Sequence, residues 1–150
     1  MLAQRELPDD IERRIEALAA AWGDDEDVAA VYLFGSRAAG RAHSRSDVDL
    51  AVILQPRHDA GERFRKRLDL MDDACSRLGT DAVDVIVLED APAVLGHRVL
   101  RSGRLIADRD PRRRVSVVES VLRRYLDEAP LRETLDQALA ERLREGRFAR

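Results

Sequence analysis

Apolar residues along this chain follow two rhythms, one recurring every three or four positions and one nearly unbroken over short runs. Ile11, Ile15, Leu18 and Trp22 keep the first rhythm and predict an amphipathic helix over 9–22, with Asp9 and Glu12 at capping-box spacing. Gly23 and the acidic run Asp24-Asp25-Glu26-Asp27 close it. Val28–Phe34 keeps the second rhythm and reads as a strand that stops at Gly35-Ser36. A loop of small and basic residues, 37–46, leads to a second strand, Val48–Leu54, closed by Pro56.

Phe64, Leu68, Met71, Cys75 and Leu78 then mark a helix over 61–78 that Gly79 ends. A strand over 82–88 follows, interrupted only by Asp84, then a short helix over 92–101 and a short strand over 105–107. Two helices, 112–127 and 131–145, finish the chain with Pro130 between them. Their stripes are Val115, Val118, Leu122 and Tyr125, then Leu131, Leu135, Leu139 and Leu143, and stripes this regular are expected to pack inside the domain. The order α-β-(short α)-β-α-β-α-β-α-α predicts one α/β domain, residues 1–150, with its C-terminal helical pair packed on it.

Composition narrows the function more than the fold. A net charge of −3 from 26 basic and 29 acidic residues lacks the basic excess of a general nucleic-acid binder. Lys66 is the only lysine, an arginine bias that suits phosphate or carboxylate recognition and that a GC-rich genome produces equally well. The single cysteine, Cys75, excludes an internal disulfide and a multi-cysteine zinc site. With no signal-peptide core and no apolar run near the roughly 20 residues that span a bilayer, the expected location is the cytoplasm, away from any membrane.

Three features carry candidate chemistry. Gly35-Ser36 ends a strand, where a glycine lets a phosphate approach the main chain and the hydroxyl adds a donor, although a plain turn would look the same. Asp47 and Asp49 are two apart on extended backbone, so both carboxylates share a face, which is costly without a cation between them. Asp84 lies inside Val83-Asp84-Val85-Ile86-Val87, where a carboxylate needs an arginine, a hydrogen bond or a metal. Taken together, three carboxylates offer the oxygen donors that Mg²⁺ prefers.

Gly35-Ser36, ten intervening residues and Asp47-x-Asp49 form a pattern that resembles the DNA polymerase β-like nucleotidyltransferases. The resemblance runs through Tyr32-Leu-Phe-Gly-Ser-Arg-Ala-Ala-Gly-Arg and Ser46-Asp-Val-Asp-Leu, and Asp84 matches the third carboxylate of that superfamily. It implies a nucleotidyltransferase fold, a small mixed β-sheet flanked by helices with two helices at the C-terminus. It also implies two Mg²⁺ ions on Asp47, Asp49 and Asp84 as catalytic and metal-binding residues, with ATP as substrate held by Gly35, Ser36 and Arg37.

Chain length, His97-Arg-Val-Leu-Arg-Ser-Gly-Arg-Leu and Arg123-Arg-Tyr-Leu-Asp-Glu-Ala-Pro-Leu-Arg further resemble the MntA-type antitoxins. That implies AMP transfer from ATP to a tyrosine of a HEPN-domain ribonuclease toxin (HepT), which silences it, with no direct nucleic-acid partner. Two alternatives stay open: a small-molecule transferase of the aminoglycoside type, and a non-catalytic antitoxin that acts by binding alone.

Several conspicuous residues read as structural. Arg41 and Arg45 are expected to be solvated loop arginines, and the Arg37-to-His43 spacing matches a HEPN ribonuclease motif by coincidence. His58 and His97 lack partners at metal-ligand spacing. Cys75 and Trp22 fall on apolar helix stripes and are expected in the core.

Overall fold

The computed structural model describes residues 7–38, 40 and 47–146. Its elements are α1 (Ile11–Gly23), β1 (Val28–Phe34), β2 (Val48–Leu54), α2 (Ala60–Leu78), β3 (Val83–Val87), α3 (Ala93–Ser102), β4 (Arg104–Asp108), α4 (Pro111–Asp127) and α5 (Ala129–Arg144). A single 3-10 turn, Leu88–Asp90, joins β3 to α3. Residues 35–38 form turns; the rest of the expected short helix, with Arg41, His43 and Arg45, lies outside the described residues. Among the described residues no helix is long and apolar enough to cross a membrane.

The four strands make one mixed sheet in the order β3-β2-β1-β4. β1 runs antiparallel to both β2 and β4, while β2 and β3 are parallel and joined by the α2 crossover. β1 and β2 are central strands, which explains their unbroken apolar sequences: both faces are covered. On one face α1 and α2 pack against Val31, Leu33, Leu50 and Val52; on the other, α3 and α4 pack against Tyr32, Phe34, Ala51 and Ile53. At the end of β2, Leu54 N–H donates to Glu89 Oε2 (2.9 Å) and its carbonyl accepts from Arg113 Nε (2.9 Å), pinning α4 to the sheet.

Helix ends follow local chemistry. Asp59 caps α2 by accepting from the Glu62 N–H at 2.8 Å, and Gly79 closes that helix with a left-handed φ of 68°. Asp110 caps α4 in the same way, with Pro111 in the first turn. The capping box expected from Asp9 and Glu12 does not form. Asp10 takes the N-cap position of α1 with no side-chain cap bond and instead accepts from Arg14 Nε at 2.8 Å.

Two expected stripes pack differently. The buried residues of α2 are Leu70, Ala74 and Leu78, leaving Phe64 and Leu68 exposed. In α4 the buried pair is Val117 and Val121, while Val115 and Leu122 face outward. Gly96 of α3 sets that rotation: a Cβ there would lie 2.8 Å from Val121 Cγ1, so the glycine admits α4 closely.

Of the two C-terminal helices, α4 packs on the sheet through Val117 and Val121. α5 buries none of its residues, and Leu131, Leu135, Leu139 and Leu143 are all exposed. α5 is anchored at its start, where Arg132 sits 3.7 Å over the Tyr125 ring, itself stacked on His97 at 3.8 Å. Trp22 is the expected core anchor, buried and donating from Nε1 to Asp73 at 2.8 Å, whereas Cys75 is only half-buried.

Candidate active site

β1 ends where β2 and β3 begin, and the candidate residues meet at that end of the sheet. Phe34, the last residue of β1, pairs with Asp49 in antiparallel register. Asp49 pairs on its other side with Asp84 in parallel register. Neighbouring strands lie about 4.8 Å apart, so Gly35, Asp49 and Asp84 form a short row across three strands. Asp47 precedes β2 by one residue and shares a face with Asp49.

Gly35 is fixed twice over. Its φ is 75°, in the left-handed region that glycine adopts without strain. A Cβ there would lie 3.3 Å from Asp49 Cγ and collide with Oδ2. The turn and the carboxylate therefore fit only because residue 35 has no side chain.

Electrostatics at this row are unbalanced. Asp49 has its pKa pushed up from 3.8 to about 6, first by burial and then by the nearby charges of Asp84 and Asp47. Such a carboxylate favours either a proton or a cation, and the donor set is all oxygen, as hard divalent ions require. Among the described residues no three Asp, Glu, His or Cys side chains converge closely enough to hold an ion as they stand. The Asp84 and Asp47 charges disfavour ionisation of Asp49, and Asp84 Oδ1 has Arg67 Nη2 at 3.8 Å. The chemistry of the donors fits a divalent cation, whose charge would offset their mutual repulsion.

The structure brings Gly35, Asp47, Asp49 and Asp84 to one end of the sheet, with Ser36 half-buried in the turn. Arg37 has a side chain that is 5% exposed, and its Nη1 pairs with Glu12 of α1 at 2.9 Å, tying the turn to that helix. Sequence reasoning missed Arg67. It reaches from α2 around the edge of the sheet, where Nε donates to the Val85 carbonyl at 2.6 Å beside Asp84. Nothing in its local sequence separates it from the other arginines of α2, because the contact depends on how α2 lies against β3.

Residues 16–112 match the family model described as polymerase beta, nucleotidyltransferase, which covers more than half of the chain. The chain belongs to that family. It is therefore a nucleotidyltransferase domain. No curated protein sequence matches it.

Solved structures with the same shape include a toxin–antitoxin complex with AMP-PNP, 25% identical with a TM-score of 0.63, matched over 85% of this chain and 98% of that one. A variant MntA toxin–antitoxin complex is also 25% identical with a TM-score of 0.63, over 85% and 97%. A complex of a tri-AMPylated HEPN toxin with MNT antitoxin from Shewanella oneidensis is 22% identical with a TM-score of 0.58, over 86% and 96%, a likeness of fold.

Proposed function

We propose that this chain is the antitoxin of a toxin–antitoxin pair and transfers AMP from ATP to a tyrosine of its HEPN-domain (HepT-type) toxin, silencing it in the cytoplasm. The observation that carries the reading is the row of Gly35, Asp49 and Asp84 across three strands, with Asp47 beside it, in a chain of the polymerase β family. Support for the partner comes from likeness over nearly the full length of a chain in a toxin–antitoxin complex with AMP-PNP.

Each residue then has a task. The Gly35-Ser36 turn exposes main-chain N–H groups and a hydroxyl to the triphosphate tail. Asp47 and Asp49 would hold divalent ions, two Mg²⁺ in this reading, and Asp84 would complete the set on the acceptor side. When bound there, such ions would supply Lewis acidity to the acceptor oxygen and the departing pyrophosphate. The tyrosine oxygen forms a bond to the α-phosphorus, the bond from that phosphorus to the bridging oxygen breaks, and pyrophosphate leaves. Asp84 receives the hydroxyl proton, directly or through water. Arg37 serves the nucleotide by holding the turn against α1.

Two measurements test this. Mg²⁺ with AMP-PNP is expected to raise the Tm of the wild type and not that of Asp47→Asn, since only a bound ligand stabilises by mass action. Toxin ribonuclease activity is expected to fall when the toxin is incubated with wild type, ATP and Mg²⁺, and to persist with Asp47→Asn. Equal silencing by both proteins would instead establish an antitoxin that acts by binding alone.

A further inference from the structure

The strand order also fixes the side from which the acceptor arrives. Gly35 and Ser36 follow β1, Asp49 is on β2 and Asp84 is on β3, in that sequence across the sheet. In phosphoryl transfer the attacking and leaving oxygens lie roughly in line on opposite sides of phosphorus. With the triphosphate tail at the β1 end of the row, the attacking hydroxyl comes from beyond Asp84, across the open edge of β3.

A cavity of about 380 Å³ opens along that edge, between the first half of α2 and the segment that leads into α3. Phe64, Ile86, Pro92 and Leu95 give it apolar walls. Ile86 is two residues beyond Asp84, on the same face and roughly 6–7 Å along the strand. Arg67 belongs to both places, lining the cavity while its Nη2 lies 3.8 Å from Asp84 Oδ1. Phe64 is 57% exposed, a large aromatic surface that the rest of the described chain leaves uncovered. The second arginine on the wall, Arg63, makes a bidentate pair with Asp90, so apolar surface dominates what an occupant meets.

We propose that this cavity is the acceptor subsite and takes an aromatic ring that carries the acceptor hydroxyl, the side chain of a tyrosine. The inference rests on the direction of transfer proposed above and adds where the acceptor binds and what selects it. A phenol ring packs on Phe64 and Leu95 and lies against the Arg67 guanidinium, while its hydroxyl reaches toward Asp84. A polyhydroxylated sugar acceptor would find only Arg63, Arg67 and Asp90 as polar partners in these walls, Arg63 and Asp90 being already paired, so the subsite favours tyrosine over an aminoglycoside.

Phe64→Ser tests this at an exposed position where folding does not depend on the ring, with Phe64→Leu as the apolar control. Transfer from α-labelled ATP is measured to N-acetyltyrosinamide and, separately, to the HEPN toxin, with AMP-PNP affinity measured by calorimetry. Phe64→Ser is expected to raise the KM for N-acetyltyrosinamide about tenfold with unaltered AMP-PNP affinity, and Phe64→Leu to recover most of the loss. An unchanged acceptor KM overturns the subsite, as does a parallel loss of AMP-PNP affinity, which would place the nucleotide base in the cavity.

Labelling of N-acetyltyrosinamide that depends on Phe64, without labelling of the toxin, keeps the subsite and removes the proposed partner. If neither acceptor takes label, saturation transfer to the ring protons of N-acetyltyrosinamide on the AMP-PNP-loaded protein decides. A signal with wild type that Phe64→Ser loses supports the subsite; equal signals overturn it.

Discussion

Asp49 works against the fold that holds it. Its carboxyl keeps a proton up to about pH 6 in the folded chain, against an ordinary value of 3.8. Between those values the unfolded chain ionises while the folded chain does not, so this group's contribution to stability falls as pH rises through the window and stays low above it. Without divalent ions, Asp49→Asn is therefore expected to raise the Tm at pH 7.5 and to raise it less at pH 5, part-way through the window. Thermal melts in chelator at both values check this, and a lower Tm at both would mean the carboxylate is stabilising. The same substitution is expected to abolish AMP transfer. Gly35→Ala should fail for a different reason: a side chain there meets both a left-handed φ and the Asp49 carboxylate. A cost of about 1–3 kcal/mol in denaturant melts, with loss of AMP-PNP binding, is the expected outcome.

The helices divide into those whose position is set by close packing and one that is held at its start. α4 is set by the contact of Gly96 with Val121, so Gly96→Ala should destabilise by about 1–3 kcal/mol through overpacking. α5 is joined to the rest by Tyr125 and Arg132, and its leucines face outward. Leu135→Asp is accordingly expected to change stability by no more than about 0.5 kcal/mol. A Tm drop of many degrees would show that a partner or a second copy buries this face. Periodicity alone placed these helices well and rotated them wrongly. A stripe of Val115, Val118 and Leu122 announces an amphipathic helix, but α4 buries Val117 and Val121 because Gly96 opens a slot on that side. That information is tertiary, and no window of the α4 sequence contains it.

At the scale of the molecule, the mixed sheet lines up the Gly35-Ser36 turn, the half-buried Asp49 carboxylate and the Asp84 carboxylate at its edge over three adjacent strands. The spacing of Gly35-Ser36 and Asp47-x-Asp49 was legible because it lies within one β-hairpin-like connection, where sequence separation sets geometry. Asp84 was legible as a charge in an apolar run. Arg67 and the cavity beside β3 were not, since they arise where the crossover helix is laid along the sheet edge. The measurement closest to the central claim is the intact mass of the HEPN toxin after incubation with ATP, Mg²⁺ and this protein, wild type against Asp47→Asn. A gain of one or more AMP groups on a toxin tyrosine is expected with wild type and none with the variant. An unmodified toxin in both samples, from a wild type that binds Mg²⁺ and AMP-PNP, would contradict it and move the acceptor from a protein to a small molecule.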